Sequence, residues 1–261
     1  MRTILVILTA TALQAQWINY PSPGIPKNKD GTPNLTAPAP KAAGRPDLSG
    51  IWLAERNRPC PPVTGCTDMD IGQEFMDIGW SLKGGLPLQP WAAKARAERT
   101  ARNGADDPGS HCKPTGVVKM HTSPFYRRIV QTPDLLVLMS ERDAEFREIF
   151  LDGRPLPVDP QPASMGYSTG KWEGDTLVVQ SAGFSDGWLD RNGTPLTSAA
   201  KLTERFHRPD FGHLDIELTV DDAKAYTRPW TITLHQHIAV NTDLLAYYCM
   251  ENERDIGHLP K

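Results

Sequence analysis

HLDIELTV, residues His213–Val220, alternates without a break: Leu214, Ile216, Leu218 and Val220 fall on one face, His213, Asp215, Glu217 and Thr219 on the other. Successive side chains of an extended chain point to opposite sides, so this octet predicts a strand with one buried and one wet face. Similar stretches flank it. Upstream lie Phe125–Thr132, Leu135–Glu141, Glu145–Leu151, Tyr167–Trp172, Thr176–Ala182 and Leu202–Arg208; downstream, Trp230–Ile238 and Leu244–Glu251 read as a final pair. Turn signals separate them, among them Pro133-Asp134, Asp152-Gly153, Glu173-Gly174-Asp175 and Pro209-Asp210-Phe211-Gly212. The pattern leaves almost no room for helices between Phe125 and Glu251. It predicts a mainly β fold, an antiparallel meander forming a closed or partly open barrel.

Outside that region, Gly50-Ile51-Trp52 reads as the first strand. PWAAKARAERTARN (Pro90–Asn103) reads as one surface helix, with proline at its start, an alanine-rich interior and Gly104 to end it. Its apolar face is thin, so it is expected to pack through Trp91. Residues 17–49 form an extended Pro-rich arm with an internal echo, GTPNLT (Gly31–Thr36) and GRPDLS (Gly44–Ser49), read as two similar turns. Residues 50–261 form a single β-barrel-like domain. The 24 prolines and 21 glycines agree with many turns and few long helices. No βαβ repeat or Gly-rich loop before a helix occurs, which argues against nucleotide-cofactor folds.

Residues 1–16, MRTILVILTATALQAQ, carry Arg2, an apolar run from Ile4 to Leu13 and a small residue at Ala15. The run is too short to span a bilayer and reads as a signal peptide, so a periplasmic or extracellular location is expected. Loss of Arg2 takes the formal charge from −3 to −4, and the interspersed signs argue against a nucleic-acid surface. No later apolar run is long enough to span a membrane. Four cysteines in an exported chain suggest two disulfides with three connectivities open. Cys60–Cys66, closing the turn CPPVTGC, and Cys112–Cys249, tying an early loop to the last strand, are the favoured pairs.

Several stretches together resemble a large family of exported proteins of soil bacteria: PDLSGIW (Pro46–Trp52), RRIVQTPDLLVL (Arg127–Leu138), REIFLDGRPLP (Arg147–Pro157), GYSTGKWEGDTLVV (Gly166–Val179), LTERFHRPD (Leu202–Asp210), YTRPWT (Tyr226–Thr231) and YYCMENE (Tyr247–Glu253). The resemblance spans nearly the whole mature chain and implies kinship and export, without an activity to carry over. Gly50-x-Trp52 ahead of a meander also resembles the opening of lipocalin-like (calycin) barrels, a likeness of fold alone.

Three constellations are candidates for chemistry. Glu141, Arg147, Glu204, Arg205, Glu217 and Arg128 lie within predicted strands, where charge is costly unless paired or exposed. Turned inward, they would line a pocket in which Glu141 or Glu204, with raised pKa, serves as general acid or base beside Arg147, with Tyr126 or Tyr167 assisting. Turned outward, they form ion-pair ladders. Aromatic rings, Trp52, Tyr167, Trp172, Trp188, Trp230, Tyr226 and Tyr247, suit stacking on a sugar or phenolic, or core packing. His235 and His237 share a strand face and suit copper or zinc, with His121, His111, Glu141 or Glu251 as further ligand types; the alternative is a solvated outer face. Gly166-Tyr167-Ser168-Thr169-Gly170 spells Gly-x-Ser-x-Gly, but it opens a predicted strand and lacks the strand–elbow–helix context of a hydrolase nucleophile.

The leading expectation is binding of a small organic or saccharide ligand in the barrel mouth, with Tyr126, Arg128, Arg147, Glu141, Tyr167, Trp172 and Trp230 as contacts and no cofactor. The alternatives are a cofactor-independent lyase, isomerase or hydratase using Glu141, Arg147 and Glu204, and a copper or zinc enzyme built on His235 and His237. Oligomeric state is open.

Overall fold

The computed structural model describes residues 21–55 and 78–249. Nine strands close into a barrel: β1 (Gly50–Ala54), β2 (Arg127–Gln131), β3 (Leu135–Ser140), β4 (Phe146–Phe150), β5 (Tyr167–Glu173), β6 (Thr176–Ala182), β7 (Lys201–His207), β8 (His213–Asp221) and β9 (Trp230–Ile238). The order around the wall is β7-β8-β9-β1-β2-β3-β4-β5-β6. Closure removes the free edges that would otherwise template aggregation. The pairs are antiparallel except β4–β5, which run parallel through Ile149↔Ser168 and Phe150↔Thr169. Here the chain must return over the barrel through residues 151–166. Gly170 permits the close approach, because a Cβ there would lie 2.6 Å from Leu151 and 3.2 Å from Ile149.

Alternation decides what faces inward. In β8, Leu214, Ile216, Leu218 and Val220 are buried as the sequence pattern requires. Register then carries the assignment around the wall: Glu204 on β7 stands between Leu218 and Val179, and Arg147 on β4 stands opposite Leu138. The interior therefore holds hydrocarbon (Leu136, Leu138, Ile149, Leu177, Val179, Leu202, Phe206) together with a set of polar side chains. The arm lies against the barrel, with Asp210 bridging Pro38 and the Arg208 guanidinium 4.8 Å from the Trp52 ring. In the echoed segments the same acceptor position is used by different donors: Thr36 Oγ1 donates to Asn34 Oδ1, whereas Ser49 donates its backbone N–H to Asp47 Oδ1. Gly31 and Gly44 both take positive φ, as such turns demand.

Three expectations are corrected. Leu244–Cys249 is not a strand paired with β9, since β1 occupies that edge and seals the barrel; Tyr247 instead bridges Arg142. Helix α1 (Pro90–Ala101) packs through Ala92, while Trp91 is half exposed and donates Nε1–H to the Lys224 carbonyl. A second helix, α2 (Val117–Thr122), buries all six of its residues at one end of the barrel. The Cys112–Cys249 disulfide is present. Cys60 and Cys66, the leader and Glu251 lie outside the described residues. Among the described residues no helix is long and apolar enough to cross a membrane.

Candidate functional site

Helix α2 is too short to be stable alone, so packing must hold it. Register brings the ends of β1 and β6 and the starts of β2, β5 and β7 to one end of the barrel. Helix α2, which leads into β2 there, plugs that end by setting His121 against Glu204, Phe206 and Gln236. Its buried carbonyls need partners. Thr122 Oγ1 donates to Val118 O, Ser123 Oγ to Lys119 O, and Gln236 Nε2 to His121 O. From this plug His121 reaches the carboxylate of Glu204 at 2.9 Å.

Glu204 is the hub of the interior. Arg147 donates Nη1 to its Oε1 at 2.9 Å and Nη2 to its Oε2, and extends further bonds to Ser168 Oγ (3.1 Å) and Ser181 Oγ (2.8 Å). Ser168 and Ser181, paired across β5 and β6, also bond each other at 2.9 Å. Arg127 donates to Gln236 Oε1 and lies near the Ser123 and Phe125 carbonyls. These groups are sealed from water.

Electrostatics follow from that burial. Burial alone would raise the Glu204 pKa, but the Arg147 charge and the bonds from His121 and Arg147 outweigh it and hold the carboxyl at about 2. His121 is pushed down, chiefly by burial, and stays neutral. A carboxylate only accepts, so His121 Nε2 carries the proton and donates. Burial lowers Arg127 to about 9, still charged at neutral pH. The expected raised carboxyl pKa at Glu204 is thus corrected: the group is held ionised and out of reach, suited to anchoring charge rather than moving protons.

This predicts acid sensitivity with a definite sign. Unfolding restores His121 to an ordinary pKa near 6.5, so stability falls as pH drops below that value. The Glu204 contribution, about 3 kcal/mol from its shift, is full above pH ~4.5 and disappears toward pH ~2. Melting curves from pH 8 to 3 check it; a Tm constant between pH 7 and 4 would contradict the network.

The remaining sequence candidates do not converge. Glu141 is apart from Arg147, its carboxylate accepting the Tyr126 N–H (3.1 Å) and the Leu245 N–H (3.3 Å). Arg128 points outward to Asp243, beside a cleft of about 490 Å³ under the arm. Tyr167 is on the outer wall, stacked on Phe150, its hydroxyl accepting from Arg154. Trp172 stands at the opposite barrel end, with Arg45 5.7 Å from its ring. Trp230 is packed in the core against Tyr226. His235 and His237 are on the outer wall, separated by the wall from His121. His111 is elsewhere, bonded to Ala105 O.

What the sequence reading missed is the cleft over the plug. It holds about 370 Å³ between α2 and the short ladder Gly187–Trp188/Pro195–Leu196. Trp188, Val117 and Leu196 give it an apolar wall; Thr115, Ser164, Ser185 and Asp186 give it polar groups. Lys119 lies beneath, ion-paired to Asp107 at 2.6 Å and 5.9 Å from the Trp188 ring, which Arg99 also approaches at 4.8 Å. A smaller cleft of about 180 Å³ adjoins the same indole, lined by Trp91, Arg99 and Thr197. A single tryptophan outside any alternating run carries no sequence signal of this.

Comparison with known proteins gives no matching family model, no similar curated protein and no similar solved structure.

Proposed function

We propose that this protein is exported and binds a small saccharide in the cleft over the barrel plug, with Trp188 as the stacking platform. The carrying observation is a half-buried indole standing between two clefts whose rims offer hydroxyls and the Asp186 carboxylate. Sugars present apolar C–H faces and hydroxyl edges, and this arrangement answers both. The larger volume falls in the range of small-ligand sites, and the adjoining cleft suits a second ring. The leader-like N-terminus and the Cys112–Cys249 disulfide support export.

Melting shifts with glucose, cellobiose, xylobiose and ferulate test the reading. Cellobiose or xylobiose raises the Tm in proportion to occupancy. Trp188→Ala weakens that binding about tenfold or more. Stabilisation by ferulate alone, or saccharide shifts that survive Trp188→Ala, would overturn it.

A further inference from the structure

The outer wall of β7–β9 gathers four of the seven histidines. Register places His207 opposite Asp215 and Asp215 opposite His235, and the Glu55 N–H donates to the His235 carbonyl. One step along the same face, His213 stands opposite His237. His213, His237, Asp215 and His235 therefore occupy the corners of a rectangle. Cross-strand Cβ atoms lie about 5 Å apart and i, i+2 positions about 7 Å apart. The face is open: the His213 and His235 side chains are 40% and 48% exposed.

Two of the rings are already oriented as metal ligands usually are. His213 Nδ1 is 2.7 Å from Asp210 Oδ1, and His235 Nδ1 is 2.6 Å from Asp215 Oδ1. Because a carboxylate only accepts, each Nδ1 carries a proton, and in the neutral ring that leaves the lone pair on Nε2. Ligating histidines commonly donate their other N–H to a carboxylate, which fixes the tautomer and raises ligand basicity. Neither Nε2 meets a protein partner among the described residues.

We propose that this face binds one divalent transition-metal ion, Cu²⁺ more tightly than Zn²⁺, through imidazoles of His213, His235 and His237. Asp210 and Asp215 orient the first two rings. Imidazole donors suit both ions, and the order of affinity follows the usual trend for such ligands. As the side chains stand, no three such groups among the described residues converge on one point, so binding requires the three rings to turn toward one another, His213 and His235 pivoting about their bonds to Asp210 and Asp215. The site is remote from the plug cleft and independent of saccharide binding.

The test uses the full chain without an affinity tag, stripped with chelator and titrated with Cu²⁺ by calorimetry and electron paramagnetic resonance. One ion binds per chain with micromolar affinity, and the spectrum shows hyperfine coupling to at least two imidazole nitrogens. His213→Ala and His237→Ala each weaken binding by tenfold or more, as do Asp210→Asn and Asp215→Asn. His111→Ala, remote from this wall, changes nothing. Far-UV circular dichroism and melting curves of the metal-free variants accompany each titration, so that loss of a ligand is told apart from loss of the fold. Absence of saturable binding, or unchanged affinity in the His213→Ala/His237→Ala double variant, would overturn the proposal.

Discussion

Replacing Glu204 with glutamine costs about 3–5 kcal/mol of folding stability, the expected penalty for removing one member of a buried ion pair. The size follows from what is left behind. Arg147 would keep its charge inside the barrel with only neutral partners, Ser168, Ser181 and the new amide oxygen, and Arg127 already places a second cation nearby. The isosteric amide keeps the volume and removes the charge, so a cavity does not explain the loss. Removing both charges together, as Arg147→Met/Glu204→Leu, should be milder than Glu204→Gln alone, because well-packed hydrocarbon often substitutes for a buried pair. Urea unfolding of the three chains measures this. A double variant at least as unstable as the single one would show that the pair is worth more than its replacement.

Loss of the Cys112–Cys249 bridge is the second large effect. The two cysteines are separated by 137 residues, and the chain-entropy relation assigns about 5 kcal/mol to closing such a loop. Cys249 follows a segment without strand pairing, secured by its own N–H to Asp143, the Tyr247–Asp143 backbone bond and the Glu141 carboxylate. Cys112→Ser/Cys249→Ser should therefore lower the Tm by about 10 °C, at a few degrees per kcal/mol for a chain of this size. Titratable Cys112 and Cys249 thiols in the native protein, or a Tm drop within 2 °C, would contradict it.

The wall was legible because alternation is a local property. Thr176–Ala182 and Trp230–Ile238 are strands at the residues read from sequence. The direction of Glu204 was also encoded, since it alternates with Leu202 and Phe206, both buried. Ser181 follows Leu177 and Val179, and Gln236 follows Ile232 and Leu234, in the same way. Polar residues in register with hydrocarbon mark the concave face, a signal stronger than the charges considered singly. Helix α2 was not legible: VVKMHT is too short for a helical period and rich in β-branched residues. Only the barrel end that it plugs makes it a helix. Leu244–Cys249 failed as a strand for a tertiary reason, because Gly50–Ala54 had taken the only remaining edge. The plug cleft depends on segments that meet only after folding, so Trp188 could not be singled out among seven tryptophans.

The indole N–H resonances of those tryptophans give the most direct test of where recognition occurs. In a ¹⁵N-correlated spectrum titrated with cellobiose, the Trp188 peak should move with saturation. Those of Trp52 and Trp230, enclosed by the wall, and of Trp172, at the other end, should stay in place. Movement at Trp172, or within the sealed interior, while Trp188 remains still would contradict a filled barrel that binds its ligand over the plug.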